Sequence, residues 1–182
     1  MSVEITYFVH GTTTDNENNI SSGWKDVDLS QKGIDQSIVL KDQIKNKKFK
    51  VVFCSDLKRA MHSAELTFKN LFPIIQDNRL RECNYGDFNG KPSAIVEPIQ
   101  EKHIEERFPN GESYEDVKVR IADFLEFLKK DYDGKHVGIV AHKAPQLSLD
   151  VLLRGKTWQQ AFAEDWRKTK SWQPGWDYTL QV

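Results

Sequence analysis

Two histidines, one arginine and one glutamate each lie shortly after a segment with the composition of a β-strand. They are His10, Arg59, Glu82 and His142. A neutral imidazole can act as a nucleophile, a guanidinium can bind an oxyanion through two parallel hydrogen bonds, and a carboxyl group can carry a proton. Together these residue types could supply a nucleophile, an anion-binding group and a proton carrier to one site.

The elements that must position these side chains are predicted from residue type and periodicity. β-branched and aromatic residues predict strands at residues 3–9, 50–54, 73–76, 135–141 and 176–180. Apolar periodicity predicts the helices: two begin at the N-cap candidates Ser30 and Ser55 or Asp56, and two span about 113–130 and 147–153. Such alternation indicates an α/β domain with a largely parallel sheet, where ligands bind beyond the C-terminal strand ends. The four side chains are therefore expected to meet at one edge of the sheet.

Two stretches do not fit this alternation. Residues 11–28 are polar and long for a plain connection, and long loops of this kind are often functional. Residues 77–112 are interrupted by glycines and prolines and predict an insertion over one end of the sheet, above the site. Because the sequence has no repeat and no linker, it predicts a single domain over residues 1–182.

The composition argues against several classes of protein. The 182 residues include 26 Lys and Arg and 27 Asp and Glu, and the resulting charge of −1 argues against a general nucleic-acid binder. No apolar run reaches the ~18 residues that span a membrane, and the N-terminus lacks the features of a signal peptide. We therefore expect a cytoplasmic protein with no membrane partner. Cys54 and Cys83 are expected to be buried and reduced.

An ordered series of short motifs runs through most of the chain. The motifs are Phe8-Val9-His10-Gly11, Asn16, Leu29-Ser30-Gln31-Lys32-Gly33, Ser55-Asp56-Leu57-Lys58-Arg59-Ala60, Leu80-Arg81-Glu82, Gly86, Gly90, Gly111-Glu112-Ser113 and Val140-Ala141-His142. Their joint order and spacing over about residues 5–145 resemble the histidine phosphatase superfamily, in its phosphoglycerate mutase-like branch. The resemblance implies a three-layer α/β fold with a mostly parallel central sheet and helices on both faces.

The resemblance also implies a role for each site residue. His10 would attack phosphorus and form a phosphohistidine, and Arg59 would bind the phosphate oxygens. His142 would donate to a phosphoryl oxygen, and Asn16 would be a neutral donor to the substrate. Glu82 would protonate the leaving oxygen and then activate water. No cofactor is implied, and no metal site is predicted, because no Cys-x-x-Cys or His-Glu-x-x-His spacing is present.

Three positions depart from the family pattern. Val9 stands where the family has an arginine before the nucleophile, Thr12 where it often has an acidic residue, and Lys143 where it usually has glycine after the second histidine. Loss of a charge-assisted phosphate contact is expected to cost roughly 1.5–3 kcal/mol per hydrogen bond. We therefore predict that Lys143 replaces part of the missing charge, with Arg81 or Lys58 as the alternatives. Thr12, Lys143 and Arg81 are accordingly predicted substrate-binding residues.

These expectations converge on a metal-independent phosphatase that acts on a small phosphorylated metabolite. In a phosphoglycerate mutase a larger insertion closes over the intermediate and excludes water. The insertion at about 77–112 is short for that purpose, which favours a phosphatase and leaves a mutase as the enzymatic alternative. A phosphate-binding or regulatory protein with a weakened site is the second alternative, because Val9 removes an arginine from the pattern.

The C-terminal tail has no motif of its own. It contains Trp158, Trp166, Trp172 and Trp176. Tryptophan in such a density predicts packing in the core or at an interface, and lining of the substrate pocket is the alternative. The sequence leaves a homodimer open.

Overall fold

Five β-strands form the central sheet of the computed structural model, which describes residues 1–182. They are β1 (Ser2–Val9), β3 (Val51–Cys54), β4 (Ile74–Gln76), β6 (His136–Ala141) and β7 (Trp176–Gln181). The order across the sheet is β4-β3-β6-β1-β7, and β7 is the one antiparallel strand. The predicted mostly parallel sheet is therefore confirmed. Two short strands, β2 (Ile20–Ser21) and β5 (Lys91–Pro92), pair with each other outside this sheet.

Eight α-helices accompany the strands. They are α1 (Thr14–Glu17), α2 (Gln31–Gln43), α3 (Lys58–Phe68), α4 (Ser93–Val96), α5 (Tyr114–Tyr132), α6 (Lys143–Arg154), α7 (Trp158–Ala163) and α8 (Trp166–Thr169). Three 3₁₀ turns span Asn78–Leu80, Gly86–Phe88 and Glu97–His103. None of the helices combines the length and apolar character needed to cross a membrane.

The sheet separates two apolar clusters, because successive side chains of a strand point to opposite faces. Tyr7 of β1 belongs to a cluster of 29 buried residues that includes the apolar faces of α5 and α6. Phe8, the next residue, belongs to a cluster of 8 buried residues that includes residues of α3. Each fully buried aromatic side chain stabilises the fold by roughly 1.5–3 kcal/mol. The three-layer arrangement is thus confirmed, and Cys54 and Cys83 are buried and free, as expected.

The pairing of β1 with β6 fixes the position of two predicted site residues. The parallel register places Val9 opposite Ala141, at the C-terminal end of both strands. The backbone N–H of His10 continues the ladder by donating to the Ala141 carbonyl at 3.1 Å. His10 and His142, which directly follow the paired residues, therefore leave the sheet side by side.

One of the two predicted helix starts is confirmed and the other is wrong. Ser30 is the N-cap of α2, and its hydroxyl accepts a hydrogen bond from the Gly33 N–H at 3.3 Å. The predicted N-cap of α3 at Ser55 or Asp56 is wrong, because the N-cap is Leu57 and no side chain caps the helix. The Asp56 carboxylate instead accepts two hydrogen bonds of 2.7 Å from a guanidinium outside the helix.

The structure also defines the helix after β6 and the stretch predicted as an insertion. The helix predicted at 147–153 begins earlier, at Lys143. Pro145 is tolerated there because it lies in the first helical turn, where its missing N–H has no intrahelical partner to lose. The stretch 77–112 contributes no strand to the central sheet and holds β5 and α4 with the three 3₁₀ turns.

Two glycines allow the loop after β1 to touch the start of α2. A Cβ atom added at Gly33 would lie 2.0 Å from the Thr12 carbonyl oxygen, and one added at Gly11 would lie 2.5 Å from the Gly33 carbonyl oxygen. Both contacts are with backbone atoms, which cannot rotate away. The loop that follows the predicted nucleophile is therefore held against α2 by backbone-to-backbone packing.

We expect Gly33→Ala to lower the free energy of unfolding by roughly 2 kcal/mol or more, because the added methyl group overpacks a rigid contact. Gly134→Ala is the control, since nothing lies within 4 Å of its Cβ position. Its expected cost is the strain of a positive φ alone, about 1 kcal/mol. Urea denaturation of both variants measures the difference, and equal destabilisation would contradict the packing argument.

Candidate active site

His10 lies at the end of β1 as a neutral imidazole. Its burial, and next the positive charge of Arg59, lower the pKa of His10 to about 3. The ring atom Nδ1 is 2.7 Å from the carbonyl oxygen of Gly11, which can only accept a hydrogen bond. In the neutral ring the single N–H is therefore on Nδ1, and Nε2 carries an unshared electron pair. This is the tautomer that a nucleophile attacking through Nε2 needs.

His142 is the immediate neighbour of His10. The two ring centroids are 5.1 Å apart, with planes inclined at 59°. The side chain is fully buried, neither ring nitrogen has a hydrogen-bond partner, and burial lowers its pKa well below the ordinary value. Its backbone is fixed, since the hydroxyl of Tyr7 donates to the His142 carbonyl at 2.6 Å. A neutral ring in this position has one N–H available to donate.

Arg59 is buried in the first turn of α3. Its Nη2 donates to the Gly23 carbonyl at 2.7 Å and its Nη1 to the Lys25 carbonyl at 3.1 Å. These bonds anchor the loop between β2 and α2 to the guanidinium. An arginine has five N–H groups, so Arg59 retains N–H groups with which it can bind an anion.

Glu82 connects the insertion to the N-terminus of α6. Its Oε1 accepts from the backbone N–H groups of Cys83 at 2.8 Å and Ala144 at 3.0 Å, and its Oε2 accepts from the Lys143 N–H at 3.1 Å. The free N–H groups at the first turn of a helix favour a carboxylate in this position. Oε2 accepts one backbone hydrogen bond and Oε1 accepts two, so Oε2 has more capacity left for a further partner. The Glu82 carbonyl is held by the Trp24 indole N–H at 2.7 Å.

One cavity of about 790 Å³ brings most of these residues together. Of the predicted site residues, His10, Thr12, Asn16, Arg59, Glu82 and Lys143 line it. His142 lies beneath the surface, beside His10, and Arg81 is not among the lining residues. The insertion reaches the cavity through Ser93, Glu97 and Gln100. No group of three or more His, Cys, Asp or Glu side chains is placed to hold a metal ion.

Asn16 and Thr12 present different polar groups to the cavity. The Asn16 side-chain oxygen Oδ1 accepts from the Thr13 N–H at 3.0 Å in a capping box, which leaves its Nδ2 free to donate. The Thr12 hydroxyl donates to Oε1 of Gln36 at 2.9 Å. Asn16 therefore offers a free donor, whereas the Thr12 hydroxyl proton is already used.

Lys143, the first choice to replace the charge missing at position 9, lines the cavity but is held by other groups. Its Nζ donates to Oε1 of Gln100 at 2.9 Å and lies 3.5 Å from the Asp165 carboxylate. The carboxylate offsets much of the ammonium charge, so an anion would have to share Lys143 with Asp165.

The two other cations considered for this charge lie away from the cavity. Arg81 donates to both carboxylate oxygens of Asp56 at 2.7 Å and lies over the Trp24 ring, 4.7 Å from its centroid. Lys58 is exposed and is not a lining residue. The structure therefore does not bring either side chain to the cavity that His10 lines.

Sequence reasoning missed three residues that shape the site. Ser63 accepts from the Gly11 N–H at 2.9 Å and donates to the Arg59 carbonyl at 2.7 Å, so it fixes the loop after His10. Its spacing of four residues from Arg59 on one helix face is a signal that could have identified it. Asp165 and Arg167 line the cavity from the tryptophan-rich tail. Their sequence carries no motif, so the folded chain is needed to reveal them.

The tail tryptophans divide between the two predicted roles. Trp158 and Trp176 are buried in the larger apolar cluster. Trp166 and Trp172 line the cavity. Packing in the core and lining of the pocket therefore both occur in this segment.

Comparison with known proteins identifies the family. Residues 7–176 match the histidine phosphatase superfamily (branch 1). The chain belongs to this superfamily. A 2,3-bisphosphoglycerate-dependent phosphoglycerate mutase of Beijerinckia indica is 32% identical over 164 residues, covering 81% of this chain and 79% of the mutase. The relatives of this histidine phosphatase superfamily member thus include a protein named as a mutase.

Other relatives of this superfamily member are named as phosphatases or share its fold. The uncharacterized phosphatase PhoE of Bacillus subtilis is 30% identical over 136 residues, covering 74% of this chain and 69% of PhoE. Bacillus stearothermophilus YhfR superimposes with a TM-score of 0.79 at 26% identity, over 88% of this chain and 84% of YhfR. The superfamily and its fold are therefore established, and its named members include both phosphatases and mutases.

The neutral histidine pair predicts a loss of stability in mild acid. Folding lowers the pKa of both His10 and His142, so below pH 6.5 the unfolded chain binds protons that the folded chain does not. The free energy of unfolding therefore falls as the pH drops from 6.5 towards 3. We expect His10 to account for about 2 kcal/mol of the loss between about pH 7 and about pH 5. Urea denaturation of the parent and of His10→Asn at both pH values measures this share, and identical losses in the two proteins would contradict it.

Proposed function

We propose that the protein is a phosphatase that hydrolyses small phosphomonoesters through a phosphohistidine at His10. The observation that carries the proposal is the tautomer of His10: with its proton directed to the Gly11 carbonyl, Nε2 is free to attack. Arg59 and Glu82 border the same cavity and support the proposal. Their residue types match the needs of phosphoryl transfer.

In the first step Nε2 of His10 attacks phosphorus, and the bond from phosphorus to the leaving oxygen breaks. Glu82, in its protonated form, gives its proton to that oxygen, and the alcohol departs. Arg59 and the N–H of His142 stabilise the charge on the remaining phosphoryl oxygens. The carboxylate left on Glu82 is then held by the three backbone N–H groups described above.

In the second step Glu82 removes a proton from water, and the water oxygen attacks phosphorus of phospho-His10. The bond from phosphorus to Nε2 breaks, which returns His10 to its neutral state and Glu82 to its protonated state. The net reaction is hydrolysis of the ester to an alcohol and inorganic phosphate. Water must reach phosphorus in this step, which an accessible cavity permits.

A phosphoglycerate mutase is the second candidate, because the Beijerinckia indica relative is named as one. A mutase returns the phosphoryl group to a substrate oxygen instead of to water. Hydrolysis is supported by the short insertion, whose single strand β5 pairs only with the two-residue strand β2 and leaves little chain to close over an intermediate. Product analysis separates the candidates: free phosphate supports the phosphatase, and isomerised phosphoglycerate that requires a bisphosphate primer supports the mutase.

Replacing the nucleophile is expected to abolish turnover. We expect the parent to release phosphate from at least one member of a panel of phosphorylated metabolites, and His10→Ala to release none, because no intermediate can form. Quenching at alkaline pH with labelled substrate is expected to trap an acid-labile phosphoryl group on the parent alone. Equal background release by the two proteins would instead favour a phosphate-binding protein without hydrolase activity.

Glu82→Gln is expected to slow hydrolysis according to the leaving group. Gln keeps an oxygen for the backbone N–H groups but cannot give a proton, so alkyl phosphates with basic leaving groups should lose about 100-fold or more in kcat/KM. Aryl phosphates with a weakly basic leaving group, such as p-nitrophenyl phosphate, should lose less. The ratio of the two losses is the measurement. An equal loss for both substrates would argue that Glu82 acts on position and not on proton transfer.

A further inference from the structure

We infer that Arg167 is a phosphate-binding residue and supplies the second guanidinium of the site, an assignment that rests on the proposed function. Arg167 lies on α8 in the tail and lines the same cavity as His10. Its Nη2 is buried and has no hydrogen-bond partner in the protein. A buried donor without an acceptor is unfavourable, so this arrangement is stabilised when an anion supplies the acceptor.

Two other cations that could serve the same purpose are already occupied. The Lys143 ammonium is held by Gln100 and by the Asp165 carboxylate. The Arg81 guanidinium is paired with Asp56 and does not line the cavity. Lys143 would therefore share its charge between a phosphate group and Asp165, and Arg81 lies away from the cavity.

Arg59 and Arg167 are the two arginines that line the cavity, and both keep N–H groups without a protein acceptor. Arg59 uses one N–H on each of two backbone carbonyls. Arg167 directs Nη1 to a carboxylate and leaves Nη2 unpaired. A phosphate monoester carries close to two negative charges at neutral pH, so two guanidinium groups complement it.

The guanidinium of Arg167 is held in place from two sides. Its Nη1 donates to Oδ1 of Asp165 at 2.7 Å, and the Asp165 side chain is almost completely buried. Its central carbon lies 4.4 Å from the centroid of the Trp166 ring. Asp165 is also the N-cap of α8, where it accepts from the Arg167 backbone N–H at 3.2 Å. The side chain is thus pre-organised, and binding an anion requires little further ordering.

The charge of Arg167 acts on the residues at the reaction centre. It contributes to lowering the pKa of His10, after burial and Arg59, and that of His142, after burial, Arg59, His10 and Arg120. Arg167 is thus one of several positive charges that act on this pair of histidines. Arg59 and Arg167 lie on α3 and α8, far apart in the sequence, so the fold alone assembles the pair.

The test measures binding of inorganic phosphate by isothermal titration calorimetry, which needs no turnover. We expect Arg167→Met to raise the Kd for phosphate by about 10-fold to 100-fold, as expected for loss of a charge-assisted hydrogen bond. Arg167→Lys should recover part of the affinity, because it keeps the charge without the fork of donors. In turnover assays Arg167→Met should raise KM and lower kcat/KM.

Arg154→Met is the matched control. Arg154 also pairs with an aspartate, Asp150, at 3.1 Å, and its central carbon lies 4.2 Å from the centroid of the Tyr178 ring, but it does not line the cavity. We expect this variant to bind phosphate like the parent. Urea denaturation of both methionine variants separates a loss of binding from a loss of folding.

Two results would overturn the inference. One is an unchanged Kd for phosphate in a folded Arg167→Met variant. The other is an equal loss of affinity in Arg154→Met. The same experiments test the proposed function separately. Phosphate binding that depends on Arg167, without any hydrolysis, would support the anion site and reject the phosphatase. Hydrolysis that is unchanged in Arg167→Met would support the phosphatase and reject the role of Arg167.

Discussion

The parallel pairing of β1 with β6 is the constraint on which the site depends. With Val9 opposite Ala141, the next residue of each strand is a histidine, and the two ring centroids lie 5.1 Å apart. A shift of one residue in this register would turn the alternate side chains of β1 to the opposite face and separate the rings. The two apolar clusters specify the register, because Tyr7 fits one and Phe8 fits the other. The same burial that orders the core therefore places His10, the proposed nucleophile.

The N-terminus of α6 has a second organising role. The first N–H groups of a helix attract anions, and a phosphate could use them. Here Glu82 takes the N–H groups of Lys143 and Ala144, which ties the insertion to the end of β6. Because this helix end is occupied by a carboxylate, the phosphate group of the proposed substrate would be held chiefly by side chains. The demand for cations around the cavity follows from this arrangement.

The features that could be predicted from the sequence are those set by local pattern: the alternating strands and helices, the Ser30 cap and the strand-end positions of His10 and His142. The N-cap of α3 could not be predicted, because Asp56, a good capping residue, pairs with a guanidinium 25 residues away. Arg167 escaped prediction for a related reason, since its significance comes from the cavity it reaches and not from its own short helix. A net charge of −1 for the whole chain gives no sign of a local collection of cations.

The balance of charge around the cavity determines how well these cations would match the substrate of the proposed reaction. Among the charged lining residues that are mostly buried, Arg59, Lys143 and Arg167 are positive, and Glu82 and Asp165 are negative. These formal charges sum to a single positive charge, whereas the phosphate ester of the proposed reaction carries close to two negative charges. Neutral donors, such as the free Nδ2 group of Asn16, would have to share the remaining charge.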